Sequence, residues 1–89
     1  MQAKNPHLND VSVGKKIRYR RVMMRISQKK LGRYLGVSFQ QIQKYEKGIN
    51  RVGDGRLQEI ANILNVPIGF FMRILQKRPY LTAELYRNL

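Results

Sequence analysis

The chain has 89 residues, 18 of them Lys or Arg against five Asp or Glu, for a formal charge of +13 and a pI near 10.8. That length fits one small domain with one core, and a surface this basic attracts polyanions, nucleic acid first and anionic membrane second. The lack of cysteine excludes a disulfide framework and a thiolate metal site, and His7, the single histidine, cannot form a metal cluster alone.

Without a metal or disulfide staple, a chain of this size depends on a tightly packed core, which self-association would help. No apolar run approaches the roughly 18 residues of a membrane span, and the N-terminus lacks the apolar segment of a secretory signal. The expected compartment is the cytoplasm.

Residues 1–10, MQAKNPHLND, are polar and contain a proline, so they read as a flexible N-terminal arm. Asp10 or Ser12 can cap a first helix running to about Met24. In that helix Val13, Ile17, Met24 and the stem of Arg21 recur at helical spacing. The opposite side carries Lys15, Lys16, Arg18 and Arg25, facing solvent or an anion. Ser27 then stands where an N-cap belongs, and a short helix through Leu35 sets Leu31 and Leu35 one turn apart.

Gly36 follows, at a place where a left-handed residue costs little only for glycine. Ser38-Phe-Gln-Gln41 fits the spacing of a capping box, with Val37 before it as an apolar plug. Gly32 costs the second helix about 1 kcal/mol relative to alanine; its missing side chain lets the next helix approach closely. A third helix from Ser38 to about Lys47 turns Ile42 and Tyr45 inward, and Gly48 ends it.

The loop INRVGDG leads to Asp54, a good N-cap for a fourth helix in which Leu57, Ile60, Ala61 and Leu64 make a full apolar stripe. Asn65 and Val66 break it, Pro67 suits a first helical position, and IGFFMRIL continues as a fifth helix. Pro79 interrupts again, and YLTAELYRNL is long enough only for a short helix. Nothing alternates like a strand and no repeat is visible. The pattern predicts an all-α chain of five helices: an arm over 1–10, a domain over 11–75 and a C-terminal tail over 76–89.

Residues 28–47, QKKLGRYLGVSFQQIQKYEK, resemble the helix-turn-helix of the phage-repressor and Cro-like (Xre-type) DNA-binding family. Gln28 opens the second helix, Gly36 makes the turn, and Leu31, Leu35, Val37, Ile42 and Tyr45 occupy the positions that lock two helices together. The likeness continues through LQEIANILNVPIGFFM and covers roughly residues 13–75. Gly32 departs from the family's usual alanine, and the tail after about Leu75 is mostly unmatched. The resemblance implies a lambda-repressor-like fold that inserts its third helix into the major groove, where each base pair displays a distinct donor and acceptor pattern.

On that implication Gln40 pairs with adenine, Lys44 donates to guanine and Phe39 presses on a thymine methyl, with Gln43 a less well aimed candidate. The alternative for Phe39 is a core residue near the turn, and for Gln40 and Lys44 a solvated face. The resemblance places Gln28 and Ser38 at phosphates, through helix N-termini that favour anions. Lys47, Asn50 and Arg51 form a flanking clamp, and Lys15 or Arg18 adds contacts from the first helix. It also implies an ion pair between Arg21 and Glu46, the alternative being two unrelated surface charges.

The expected function is a sequence-specific, double-stranded DNA-binding regulator of transcription, acting as a homodimer on an inverted-repeat operator. Phe70 and Phe71 are expected to finish the core, while Ile74, Leu75, Tyr80, Leu81, Leu85 and Tyr86 build the dimer contact or cover the monomer's own core. An alternative is the antitoxin of a toxin–antitoxin pair, binding DNA for autoregulation, although the arm and tail are short for covering a toxin. Membrane-surface binding by a basic helix is weaker, because caps and turns break the charged faces. No nucleophile–base signature, metal cluster or cofactor motif marks an enzyme, and no small-molecule ligand is evident. GINRVGDG lacks the GK[ST] ending of a phosphate loop.

Overall fold

Caps and apolar stripes alternate along the chain, and they produce five helices in the computed structural model, which describes residues 8–72. These are α1 (Leu8–Met23), α2 (Gln28–Leu35), α3 (Phe39–Lys47), α4 (Asp54–Leu64) and α5 (Gly69–Met72). No strand occurs among the described residues, and no helix there is long and apolar enough to cross a membrane. Of the expected arm over residues 1–10, residues 8–10 belong instead to α1, and residues 1–7 lie outside the described residues, as do the fifth helix beyond Met72, the 76–89 tail and its dimer contacts.

One apolar cluster ties the helices together. Val13 and Ile17 come from α1, Leu31 from α2, Ile42 from α3, Leu57, Ile60, Ala61 and Leu64 from α4, and Phe71 from α5. The α4 stripe is buried in full. Phe70 stands edge-on to Phe71, with ring centroids 5.3 Å apart. α3 packs on both α1 and α2.

Backbone contacts set how closely α1 and α2 approach α3. A Cβ on Gly14 would lie 2.5 Å from the carbonyl oxygen of Glu46 and against that of Tyr45, so α1 and α3 meet with no side chain between them. A Cβ on Gly32 would lie 2.6 Å from the Val37 carbonyl oxygen, where the chain turns into α3.

Helix ends differ from the expected pattern in several places. α1 starts at Leu8, so Asp10 and Ser12 lie inside it and neither is its cap. An acid in the first turn favours the helix dipole without capping it, and Asp10 also faces Arg51 from there, 3.4 Å away. Two residues past α1 stands a non-glycine left-handed residue, Arg25, with φ of 59°. Its N–H donates to the Val22 carbonyl at 2.9 Å and that of Ile26 to Arg21 at 3.1 Å, closing the double-bonded helix end described by the Schellman motif. Asp54 does not cap α4; Gly53 stands at the cap without a side-chain bond, and Asp54 is the first helical residue. Pro67 precedes α5 rather than opening it, and its carbonyl accepts from Phe70 N–H at 2.9 Å.

Lys16 does not simply face solvent. Its ammonium donates to the Phe70 carbonyl at 3.3 Å and sits 5.7 Å over the Phe70 ring. Arg20 donates to the carbonyls of Leu64 and Asn65, at 2.8 and 3.4 Å, where α4 ends and its carbonyl oxygens have no helical partner. α1 is thereby bonded to the chain on either side of the α4–α5 turn.

Candidate nucleic-acid interface

Ser27 and Ser38 each begin a helix in extended backbone. Their hydroxyl oxygens accept from the N–H of Lys30 (3.0 Å) and Gln41 (3.2 Å). The Ser38 box closes on one side only, since the Gln41 amide donates to Asn50 Oδ1 at 3.0 Å. That bond ties the start of α3 to the loop after it. Gly36 and Gly48, at φ of 80° and 75°, end α2 and α3. At each start the other N–H groups of the first turn have no partner within the helix, a feature suited to anions.

With Ile42 buried and Tyr45 half-buried, the helical period turns Gln40, Lys44 and Lys47 away from the core, and all three are exposed. Phe39 is not part of the core. It is 37% exposed at the α2–α3 junction, beside a shallow groove that it lines with Lys29, Arg33, Val37 and Ser38. Gln43 is half-buried on the side of α3 next to α2, where its Nε2 donates to Gln28 Oε1 at 3.4 Å.

Beneath this face lies the charged pair. Arg21 Nε donates to Glu46 Oε2 at 2.6 Å and Nη2 to Oε1 at 3.2 Å, and Nη1 donates to the Ile26 carbonyl at 2.8 Å. The two side chains retain only 9% and 3% of their exposure. Gln28 Nε2 donates to Glu46 Oε1 at 3.0 Å. Glu46, on α3 of a basic protein, is therefore covered by its partners and its charge is turned inward.

The remaining residues singled out from the sequence divide by position. Lys47, Asn50 and Arg51 lie together at and after the end of α3, all exposed. Arg51 reaches Asp10 at 3.4 Å while its side chain stays 68% exposed. Arg18 shares a helical stripe with Gly14 and Arg21, the face of α1 that packs on α3. Lys15 is exposed, across α1 from Val13 and Ile17 and next to Gly14, which abuts α3.

Lys29 and Arg33 were missed as a pair, although the signal was present. One turn apart and opposite buried Leu31, they had to form the outer face of α2. Among the described residues no group of acidic, histidine or cysteine side chains could hold a metal ion.

A family model described as "Helix-turn-helix" matches residues 17–71. The chain is 62% identical over 68 residues to a protein of Sinorhizobium medicae (strain WSM419) named an uncharacterized HTH-type transcriptional regulator, an alignment covering 76% of this chain and 49% of that one. It thus spans about half the length of that relative. The fold is similar to the clp gene regulator ClgR from Corynebacterium glutamicum, with a TM-score of 0.73 at 17% identity, over 93% of this chain and 88% of that one. It is also similar to the restriction-modification controller protein C.AhdI from Aeromonas hydrophila, with a TM-score of 0.67 at 21% identity, over 71% of this chain and 91% of that one.

Proposed function

The chain belongs to the helix-turn-helix family, and on that premise we propose that it is a transcriptional regulator that binds specific double-stranded DNA with α3 in the major groove. The observation that carries this reading is the outward row of α3. Gln40, Lys44 and Lys47 project from a helix whose approach is set by backbone contact and whose single acid is buried. A helix has the right diameter for the groove, and its N-terminal residues meet base edges first.

Gln40 supplies an amide for adenine, Lys44 a cation for guanine, Phe39 an apolar edge for a thymine methyl, and Gln43 a further amide. The phosphates on either side meet the α2 and α3 N-termini at Gln28 and Ser38, together with Lys47, Asn50, Arg51 and Arg18. Lys29 and Arg33 add charge along the same edge. Lys15, exposed beside the α1–α3 contact, adds a further cation.

One such module reads few base pairs, so selectivity against a genome favours two copies on an inverted repeat, with half-sites about 34 Å apart. Selection of bound sites from random duplex DNA tests the reading, followed by salt titration of the wild type and Gln40→Ala. A preferred sequence that Gln40→Ala relaxes at one base step, at nearly unchanged salt slope, is the expected result. Binding with no sequence preference would overturn it.

A further inference from the structure

An amide side chain has a donor end and an acceptor end, and its recognition depends on which end faces outward. A glutamine on an open helix face can exchange the two by rotating its last torsion. Gln43 is placed differently, at the end of a chain of polar contacts that begins in the protein interior.

The buried carboxylate of Glu46 only accepts hydrogen bonds. Gln28, whose nitrogen lies 3.0 Å from Glu46 Oε1, must therefore turn its NH2 toward Glu46 and its carbonyl oxygen the other way. That oxygen faces the Gln43 nitrogen at 3.4 Å, and it too only accepts. With the opposite orientation of Gln43, two carbonyl oxygens would confront each other. One of the two Gln43 N–H donors is thereby held toward Gln28, which turns the carbonyl oxygen away from it as the amide's free acceptor.

The geometry points to Glu46 as a residue that determines base preference without touching DNA. It orients Gln28, Gln28 orients Gln43, and Gln43 offers a carbonyl oxygen to the groove. This rests on the reading that α3 lies in the major groove. There adenine and cytosine present amino donors at N6 and N4, whereas guanine and thymine present only acceptors. The base step facing Gln43 is thus adenine or cytosine on the contacted strand, with guanine and thymine disfavoured. Arg21 belongs to the same device, because its two bonds hold the carboxylate in the orientation that Gln28 meets.

The test is selection of bound sequences from random duplex DNA, using the full chain as wild type, Gln43→Ala, Gln28→Leu and Glu46→Gln. Gln43→Ala identifies the step that Gln43 governs. Gln28→Leu leaves the Arg21–Glu46 pair in place and removes the link. It should lower the adenine-plus-cytosine excess at that step roughly fivefold, the lower end of what one base contact discriminates, while steps governed by Gln40 and Lys44 keep their preferences. Glu46→Gln, which can turn either end of its amide to Gln28, should have the same effect.

If Glu46→Gln unfolds in a thermal melt, Gln28→Leu decides alone. An unchanged preference in Gln28→Leu at the step that Gln43→Ala alters would overturn the inference. So would wild-type selection of guanine or thymine there, or no altered step in Gln43→Ala. Each of these leaves the DNA-reading proposal standing. If the wild type selects no sequence at all, that proposal fails and this inference fails with it.

Discussion

Gly14 of α1 and Glu46 of α3 meet at the backbone: a Cβ on the glycine would sit 2.5 Å from the glutamate's carbonyl oxygen. Alanine at Gly14 should gain about 1 kcal/mol of helix propensity but force α1 away from α3. Overpacking of this kind costs roughly 1–3 kcal/mol where side chains can yield, and a carbonyl in a helix yields less. Gly14→Ala is expected to be destabilising overall, with a lower urea midpoint at an unchanged slope. A variant as stable as wild type would show that the helices separate at no cost.

Breaking one side of the Arg21–Glu46 pair strands a buried charge. Glu46→Ala should cost roughly 3–5 kcal/mol, measured by denaturant unfolding. Replacing both partners, as Arg21→Met with Glu46→Leu, should recover much of that loss, because neither charge is then left without its partner.

Gln40→Ala should remove about 1–3 kcal/mol of discrimination at one base step. Total affinity at low salt should fall less, since phosphate contacts dominate it. Competition between selected and scrambled duplexes measures the two quantities separately.

Arg51 and Asp10 make an opposed pair of expectations. Arg51→Ala should weaken binding to all duplexes alike and reduce the slope of log affinity against log salt by about 0.9, the value for one phosphate contact. Asp10→Asn should strengthen binding, because it releases Arg51 from its 3.4 Å contact and removes an acid from the clamp. Equal affinity of Asp10→Asn and wild type across the titration would place Asp10 outside the DNA's reach.

Arg25 holds a left-handed backbone that costs an L-residue roughly 1–2 kcal/mol. Glycine removes that strain at the expense of about 0.4–1 kcal/mol of unfolded-chain entropy. Arg25→Gly is expected to raise the melting temperature by a few degrees. A drop would mean that the arginine side chain contributes more than its backbone loses.

Much of this architecture was legible because its signals are local. Ser27, Gly36, Ser38 and Gly48 mark the ends of α2 and α3 by chemistry that needs no partner from elsewhere in the chain. The α4 stripe follows from its period alone, and Gln40 and Lys44 follow as outward residues once Ile42 turns inward. The features that escaped notice are those whose meaning lies elsewhere in the chain. Gly14 reads as a mere loss of helix propensity until α3 is seen crossing it. Arg25 carries no mark of a helix end, since arginine is not a residue that favours positive φ. Asp54 and Gly53 are both acceptable at a helix start, and the sequence does not choose between them. The links from Gln28 to Glu46 and Gln43 join two helices, and neither helix's own periodicity contains them.

The placement of α1 bears on how the chain acquires its shape during synthesis. Its bonds run 25 residues ahead from Arg21, 44 from Arg20 and 54 from Lys16. The partners of α1 thus leave the ribosome after it does, and contacts of such long range close late. Until Phe70 and Phe71 have emerged, the nascent segment carries exposed cations and a half-built core, so α5 completes a fold that α1 holds together.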